Sequence, residues 1–322
     1  MMRVVVADKM SDAGLDVLRG AEGIELDNRA GISAEDLVTA LDGASGLLVR
    51  SRTTVTAEMI EKSPSLKVIG RAGIGVDNID CQAATEAKVV VMNAPSGNAL
   101  TTAEHTIAMM FALARQISEA DASMKQGKWE KKRFMGVEIQ DKVAVVIGAG
   151  NIGGIVVKKM VALGMDVRVV DPVLSDEAVV ALGAKPAKLD DVIEDADFLS
   201  VHVPRTPQTK DMIGNEMFDR AKEGLRLLNV ARGGIIDETA LLKAIETGKV
   251  AGAGLDVFTE EPPESEVLKQ LIARPEVVAT PHLGASTYEA QIKVAQAISE
   301  QVRDFLLGGE ARNVVNPESL GG

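Results

Sequence analysis

Three glycines, Gly148, Gly150 and Gly153, stand in GxGxxG spacing directly after the apolar run Val143–Ile147. A helical pattern from Gly153 to Leu163 follows, and a second apolar run ends at Asp171, eighteen residues after Gly153. In this strand–turn–helix setting each glycine has a task. Gly148 permits a tight turn, Gly150 lets phosphates approach the backbone, and Gly153 lets the helix pack closely on its strand. The helix start offers unpaired N–H groups and a partial positive charge, which suit a pyrophosphate. Asp171 is placed to accept hydrogen bonds from ribose hydroxyls and to repel a 2′-phosphate. The expected cofactor is therefore NAD, held on a Rossmann-type turn.

Hydride chemistry with such a cofactor needs a base for a hydroxyl proton and a cation for a carboxylate and a developing carbonyl. There are three histidines. His105 lies inside a helical pattern and reads as a packed, hydrogen-bonded residue. His202 ends the run Phe198–Val203, where it can line a cofactor pocket or serve structure. His282 follows the run Val277–Ala279 and is the best-placed base, although alone it reads equally as a capped loop histidine. Two further segments bear on it. Asn229–Gly234 puts Arg232 just past a buried strand, where its guanidinium can fork onto a carboxylate. Asp256–Pro262 puts Asp256 and Glu261 at and after another strand end. Arg232, Glu261 and His282 can thus converge on one crevice, while surface salt bridging remains the bland alternative for each alone.

These residues need a scaffold of strands and helices. Short Val/Ile/Leu runs alternate with amphipathic stretches, which predicts parallel sheets with crossover helices. The first series of strands is Arg3–Ala7, Ile24–Leu26, Gly46–Arg50, Lys67–Gly70 and Val89–Asn93. Ser33 and Asp36 resemble a capping box with Asp in place of Glu. After a break at Pro95-Ser96-Gly97-Asn98, one long helix is predicted from about Leu100 to Lys125. A second series comprises Val143–Ile147, Val167–Val170, Phe198–Val203, Leu225–Val230, Ala253–Phe258 and Val277–Ala279, with a last helix over Thr287–Leu307.

Two doubly wound α/β domains follow from this pattern.

Composition sets limits. Aromatics are 2% and the net charge is −12, which disfavours nucleic acid and anionic membranes as partners. The lone cysteine, Cys81, excludes an intrachain disulfide and a zinc cluster, so no metal is expected. No apolar run approaches a membrane span, and a cytoplasmic location is expected.

The sequence resembles the D-isomer-specific 2-hydroxyacid dehydrogenase family. The resemblance rests on Gly70–Asn78, Asn93–Asn98, Gly127–Glu130, Phe134–Gly136, the Gly148 fingerprint, Asn229–Asp237, Asp256–Pro262 and Pro281–Thr287, in the family's order across nearly the whole chain. It implies an NAD-binding Rossmann domain over residues 97–287, a discontinuous, flavodoxin-like substrate domain over 1–96 with 288–322, a cleft between them, and a catalytic set of Arg232, Glu261 and His282. His282 would take the C2 hydroxyl proton, Glu261 would orient its ring, and Arg232 would hold the substrate carboxylate. It places Asn151, Ile152, Asp171, Val203, Val230, Ala231 and Asp256 at cofactor contacts, with Asp256 facing the carboxamide, and Ile74, His202, Arg232, His282, Gly284 and Ala285 are expected to join them.

The substrate implied is a phosphorylated 2-hydroxy acid, 3-phospho-D-glycerate. Arg50 and Arg71, at strand ends, supply cations for it. Ser51 and the turn Ala72-Gly73-Ile74 lie nearby, and that turn can aim backbone N–H groups at a carboxylate. Lys131, Lys132 and Arg133 form a basic cluster that the resemblance places near a neighbouring subunit's cleft; otherwise it is a solvated linker. A homodimer or homotetramer is expected. The alternatives are a sister enzyme acting on glyoxylate, hydroxypyruvate or D-lactate, and an NAD(H)-responsive corepressor-like scaffold. Relatives often carry a C-terminal regulatory domain that senses serine. The chain is either a short form or a truncated one, and no serine site is expected in it.

Overall fold

The computed structural model describes residues 1–95 and 97–320. Ser96, within the expected break Pro95–Asn98, and Gly321–Gly322 of the tail lie outside the described residues. The chain divides into two units, Met1–Asn98 with Ala285–Gly322, and Ala99–Gly284.

The first unit begins with β1 (Met2–Val6), α1 (Asp12–Arg19), β2 (Ile24–Asn28), α2 (Ala34–Ala40), β3 (Gly46–Val49), α3 (Ala57–Glu61), β4 (Val68–Arg71), α4 (Cys81–Glu86) and β5 (Val90–Asn93). The five strands are parallel in the order β2-β1-β3-β4-β5, the flavodoxin-like winding. Strand residues alternate between two buried faces. Val5, Leu47, Val49, Ile69 and Val91 meet Leu37, Leu41, Met59 and Ile60 on one side. Val4, Val6, Leu48, Val68, Val90 and Met92 meet Leu15, Leu18, Val294, Ile298 and Val302 on the other. Ser33 caps α2 by accepting from the Asp36 amide, while its hydroxyl donates to the Asp36 carboxylate. Asp36 thus reaches the cap's hydroxyl, where a capping-box Glu reaches its backbone.

The second unit opens with α5 (Ala99–Arg115) and α6 (Ile117–Lys125). The single helix expected over this stretch is broken at Gln116, which takes a left-handed conformation. The cause is a tertiary competitor: the Val137 amide takes the Ala114 carbonyl, and the Gln116 side chain donates to the Met135 carbonyl.

The sheet then forms through β6 (Val143–Ile147), α7 (Gly153–Ala162), β7 (Asp166–Val170), α8 (Asp176–Ala181), β8 (Lys185–Pro186), α9 (Leu189–Val192), β9 (Phe198–Val201), α10 (Asn215–Arg220), β10 (Leu225–Asn229), α11 (Glu238–Glu246), β11 (Val250–Leu255), α12 (Glu266–Ile272) and β12 (Val277–Ala279). Seven parallel strands run in the order β12-β11-β10-β9-β6-β7-β8. Counted within this unit, that is the Rossmann order 3-2-1-4-5-6 with a seventh strand beyond. One face packs on Leu241, Ile245 and Leu268, the other on Met109, Met110, Val156 and Met160. The chain then returns to the first unit as α13 (Tyr288–Leu306). Among the described residues no helix is long and apolar enough to cross a membrane.

Strand register levels one edge of the second sheet. Ile147 lies opposite Val170 and Val201, Asn229 opposite Val201 and Leu255, and Leu255 opposite Ala279. The next residues along each strand are Gly148, Asp171, His202, Val230, Asp256 and Thr280, so all six emerge on that edge.

In the first unit, α1 crosses α13 at Gly14. A Cβ there would sit 2.6 Å from the Ala295 carbonyl carbon and 2.7 Å from its oxygen. Backbone atoms cannot step aside, and overpacking costs about 1–3 kcal/mol, against about 1 kcal/mol gained in helix propensity. Gly14→Ala should lower the urea midpoint with m unchanged. A raised midpoint would show that the two helices do not meet this closely.

Candidate functional site

In the second unit, Gly148 closes the turn after β6 with φ at 85°. A Cβ on it would meet the His202 carbonyl at 2.8 Å, and one on Gly153 would fall 2.0 Å from the Gly148 carbonyl. No larger residue fits at either position without moving backbone. Gly150 differs: a Cβ there would meet nothing within 4 Å. The turn is packed tightly from behind and open in front, at the start of α7, where the first helical N–H groups lack intrahelical partners. This is a cradle that fits a pyrophosphate.

Asp171 spends most of its carboxylate on the chain. It accepts from the Ala149 amide at 2.8 Å and from the Val173 and Leu174 amides at 2.8 and 3.1 Å. Desolvation pushes this carboxyl up, but the three amides outweigh it and hold it below the usual range. With roughly four lone-pair sites on a carboxylate, about one remains for a ribose hydroxyl.

His282 takes a left-handed backbone conformation, φ 54°. Its Nδ1 lies 2.7 Å from Glu261 Oε2, and Glu261 Oε1 accepts from the Phe258 amide at 3.1 Å. We assign the proton to Nδ1, donating to Glu261, which leaves the lone pair on Nε2. Desolvation raises the Glu261 carboxyl, and the contacts with His282 and the Phe258 amide more than reverse this, holding it below its ordinary value. The imidazole is thus held in one orientation on an exposed turn.

Asp256, 1% exposed, braces that turn. Its carbonyl accepts from the His282 amide at 2.9 Å. Its Oδ1 accepts from the Leu283 amide at 2.6 Å and the Thr280 hydroxyl at 2.5 Å, and Oδ2 from the Gly284 amide at 2.7 Å. His105 Nε2 stands 3.0 Å from Thr280 Oγ1 and 3.4 Å from Asp256 Oδ1. Desolvation opposes the charge on Asp256, but these donors outweigh it and hold the carboxyl below the usual range. Val230 lies beside Gly284, whose Cβ would meet Val230 Cγ1 at 3.0 Å.

Arg232 sits on a turn clamped by buried Asn229, which donates to the Arg232 carbonyl at 2.9 Å and accepts from the Ala231 amide at 3.1 Å. Arg232 donates to the Ala231 carbonyl. Gly233 lies so close to the Phe258 carbonyl that a Cβ would be 1.8 Å from its oxygen. The Arg232 turn and the Glu261 loop are therefore packed backbone to backbone.

In the first unit, Arg50 follows β3 and Arg71 ends β4. Asp8, 2% exposed, holds the Arg50 loop: it accepts from the Arg50 amide at 2.6 Å and from Thr53 through both amide and hydroxyl. Arg50 donates to the Lys9 carbonyl. Burial lowers its pKa, with Asp8 partly offsetting this. Arg71 folds over Gly73, where a Cβ would lie 1.6 Å from its Nη1. Ala72 is buried, Ser51 is exposed, and the Ile74 carbonyl accepts from Asn93.

Asn151, Ile152, Val203 and Ala231 fall on the cradle turn and the strand-end edge of the second unit, and Ala285 opens the return to the first. Arg133 is elsewhere. It pairs with Glu130 at 3.2 Å, stacks on Phe134, and lines a cavity with Arg226, Glu276 and Val277, at the opposite strand ends from His282. Reading the sequence misses Asp8 and the bracing roles of Asn229 and Thr280. The one signal for them is a polar residue immediately at or after an apolar run.

His202 Nε2 lies 2.8 Å from Ser200 Oγ, and burial pushes its imidazole down from 6.5 to about 4. Between those values the unfolded chain takes up a proton that the folded protein refuses, so stability falls as pH drops through the window. The depressed carboxyls Asp171, Asp256 and Glu261 lose their contribution only toward the bottom of that window and below it. His202→Gln should flatten the decline in urea midpoint between pH 6.5 and 4.5. An undiminished slope would mean that His202 is not its source.

Comparison with known proteins fits this geometry. Residues 107–284 match the model of the D-isomer specific 2-hydroxyacid dehydrogenase, NAD binding domain. The chain is 46% identical over 319 residues to D-3-phosphoglycerate dehydrogenase of Archaeoglobus fulgidus and 46% identical over 316 residues to that of Bacillus subtilis. These alignments cover 99% and 98% of this chain but 60% and 59% of those proteins, so the chain spans about three fifths of their length. The structure of the TT0316 protein from Thermus thermophilus superposes with a TM-score of 0.88 at 32% identity, covering 98% of this chain and 100% of that one. The chain belongs to the D-isomer specific 2-hydroxyacid dehydrogenase family, and its second unit carries that family's NAD-binding domain.

Proposed function

We propose that this protein oxidises 3-phospho-D-glycerate to 3-phosphooxypyruvate, the step that opens the phosphorylated route to serine. The observation that carries the reading is the His282–Glu261 pair at 2.7 Å, on the strand-end edge that also carries the glycine cradle. NAD, when bound, supplies the hydride acceptor. His282 Nε2 takes the C2 hydroxyl proton, Glu261 stabilises the imidazolium, and Arg232 holds the carboxylate and polarises the C2 oxygen. Asp171 directs the preference toward NAD, because its charge opposes a 2′-phosphate.

Arg50 and Arg71 suit the substrate phosphate, with Ser51 and the Ala72–Ile74 turn beside them. The A. fulgidus and B. subtilis relatives named above support this substrate over unphosphorylated acids. Arg133, remote from His282 within its own chain, serves the site of a neighbouring subunit in a homodimer or homotetramer. Trp129 and Met135 flank it at 81% and 77% exposure, as suits such a contact. The single, half-buried Cys81 suits the cytoplasm.

NADH absorbance should report turnover of 3-phospho-D-glycerate with NAD, and of the phosphorylated keto acid with NADH. The specificity constant kcat/KM should exceed that for hydroxypyruvate, glyoxylate or pyruvate by about a hundredfold, the scale set by lost charge-assisted phosphate contacts. Arg50→Ala should erase most of that margin. Equal rates with the unphosphorylated acids would move the protein to a general 2-hydroxyacid dehydrogenase. His282→Ala should abolish turnover while NADH binding persists. Matching loss of NADH affinity would contradict its role as the base.

Asp171→Asn tests the cofactor reading. Charge repulsion with a 2′-phosphate at about 5 Å and a dielectric of ~20 is worth roughly 3 kcal/mol. Fluorescence titration should therefore show NADH favoured over NADPH by on the order of a hundredfold in the wild type, and much less in the variant.

A further inference from the structure

His282 must hold a left-handed backbone conformation that a side chain with a Cβ disfavours. Something has to hold it there, and Asp256 does so through three consecutive amides. The His282 amide goes to its carbonyl, and the Leu283 and Gly284 amides go one to each carboxylate oxygen. This works only while the carboxylate stays in one rotamer and stays charged in a buried place. The Thr280 hydroxyl has a single proton and gives it to Asp256 Oδ1 at 2.5 Å. Its oxygen is then an acceptor, and the donor facing it is His105 Nε2 at 3.0 Å, which also stands 3.4 Å from Oδ1. His105 belongs to α5, a helix packed across the buried face of the second sheet. The chain His105–Thr280–Asp256 thus runs from that helix to the turn that presents the base.

We propose that His105 and Thr280 are positioning residues for His282: they hold the Asp256 carboxylate in place, and through it the left-handed turn that sets His282 against Glu261. Neither reaches the reacting atoms. The proposal rests on the reading of His282 as the proton acceptor. It also gives the helix histidine a task beyond packing.

The test uses two pairs of variants. Thr280→Val and His105→Phe keep shape and remove the hydrogen bonds. Thr280→Ser and His105→Gln keep the donors. Displacing a base costs about tenfold to a hundredfold in rate, so kcat at saturation should fall by that factor in the first pair. NADH affinity should fall by less than kcat, because the cofactor keeps its other contacts while His282 loses its alignment. The second pair should stay near wild type. Loss in the double variant Thr280→Val/His105→Phe should be no greater than in the worse single one, since both act through one carboxylate.

A second readout does not use turnover. The chain has three histidines, so isotope-labelled histidine gives three imidazole signals by NMR. The His282 signal, assigned by its loss in His282→Ala, should be single and sharp in the wild type and the conservative variants. It should broaden or split in Thr280→Val and His105→Phe. An unchanged His282 signal in both overturns the proposal. So does a loss of kcat that the conservative variants fail to rescue, or one that comes with an equal loss of NADH affinity. A wild type without turnover, but with the expected NMR pattern, would sink the functional reading and leave the positioning role standing.

Discussion

A parallel strand that ends at a functional edge leaves its following amides without a sheet partner, and buried amides must be paired. Three buried polar side chains answer that demand here: Asp8 after β1, Asn229 at the end of β10, and Asp256 after β11. Each gathers the peptide groups of a loop that carries a candidate functional residue. Asp8 gathers the Arg50 loop, Asn229 the Arg232 turn, and Asp256 the His282 turn. The side chains expected to meet substrate are therefore displayed on loops whose backbones are fixed from below. Rigidity comes from buried polar contacts of known length beneath those loops.

The same economy governs charge. The chain carries a net charge of −12, yet it belongs to a family whose cofactor is an anion. The cradle at α7 resolves this with backbone dipoles in place of basic side chains. Asp171 then serves two ends at once. It closes the turn by accepting three amides, and it stays ionised because those amides outweigh its desolvation. His202 shows the opposite balance. Burial pushes its imidazole down toward the neutral form, and the residue packs behind Gly148 and Gly153.

The sequence made the strands legible because they are buried on both faces and so read as unbroken Val, Ile and Leu runs. The glycine turn was equally plain, since its steric demands leave a fixed spacing. Arg232, Glu261 and His282 could be picked out as strand-end residues. The bracing network beneath them could not. Thr280 is an ordinary residue before a proline, and His105 meets it across 175 positions of chain. The break at Gln116 was invisible for a related reason. Local propensity favours one long helix there, and only the arrival of Met135–Val137 at the Ala114 carbonyl and the Gln116 side chain ends it. Patterns within a segment report burial. They do not report which distant segment will claim a hydrogen bond.

The first unit is assembled from both sides of the second along the chain, with α13 supplied only after residue 284. Until α13 arrives, the face of the first sheet that carries Leu48, Val68 and Met92 lacks Val294, Ile298 and Val302. The second unit, in contrast, is continuous in sequence. During synthesis at about 5–20 residues per second, the nascent chain holds an apolar sheet face open for on the order of ten seconds or more while the second unit is made. The order of completion is thus set by connectivity: the unit that starts first finishes last. Strands left open in that interval are the kind of apolar surface that chaperones cover.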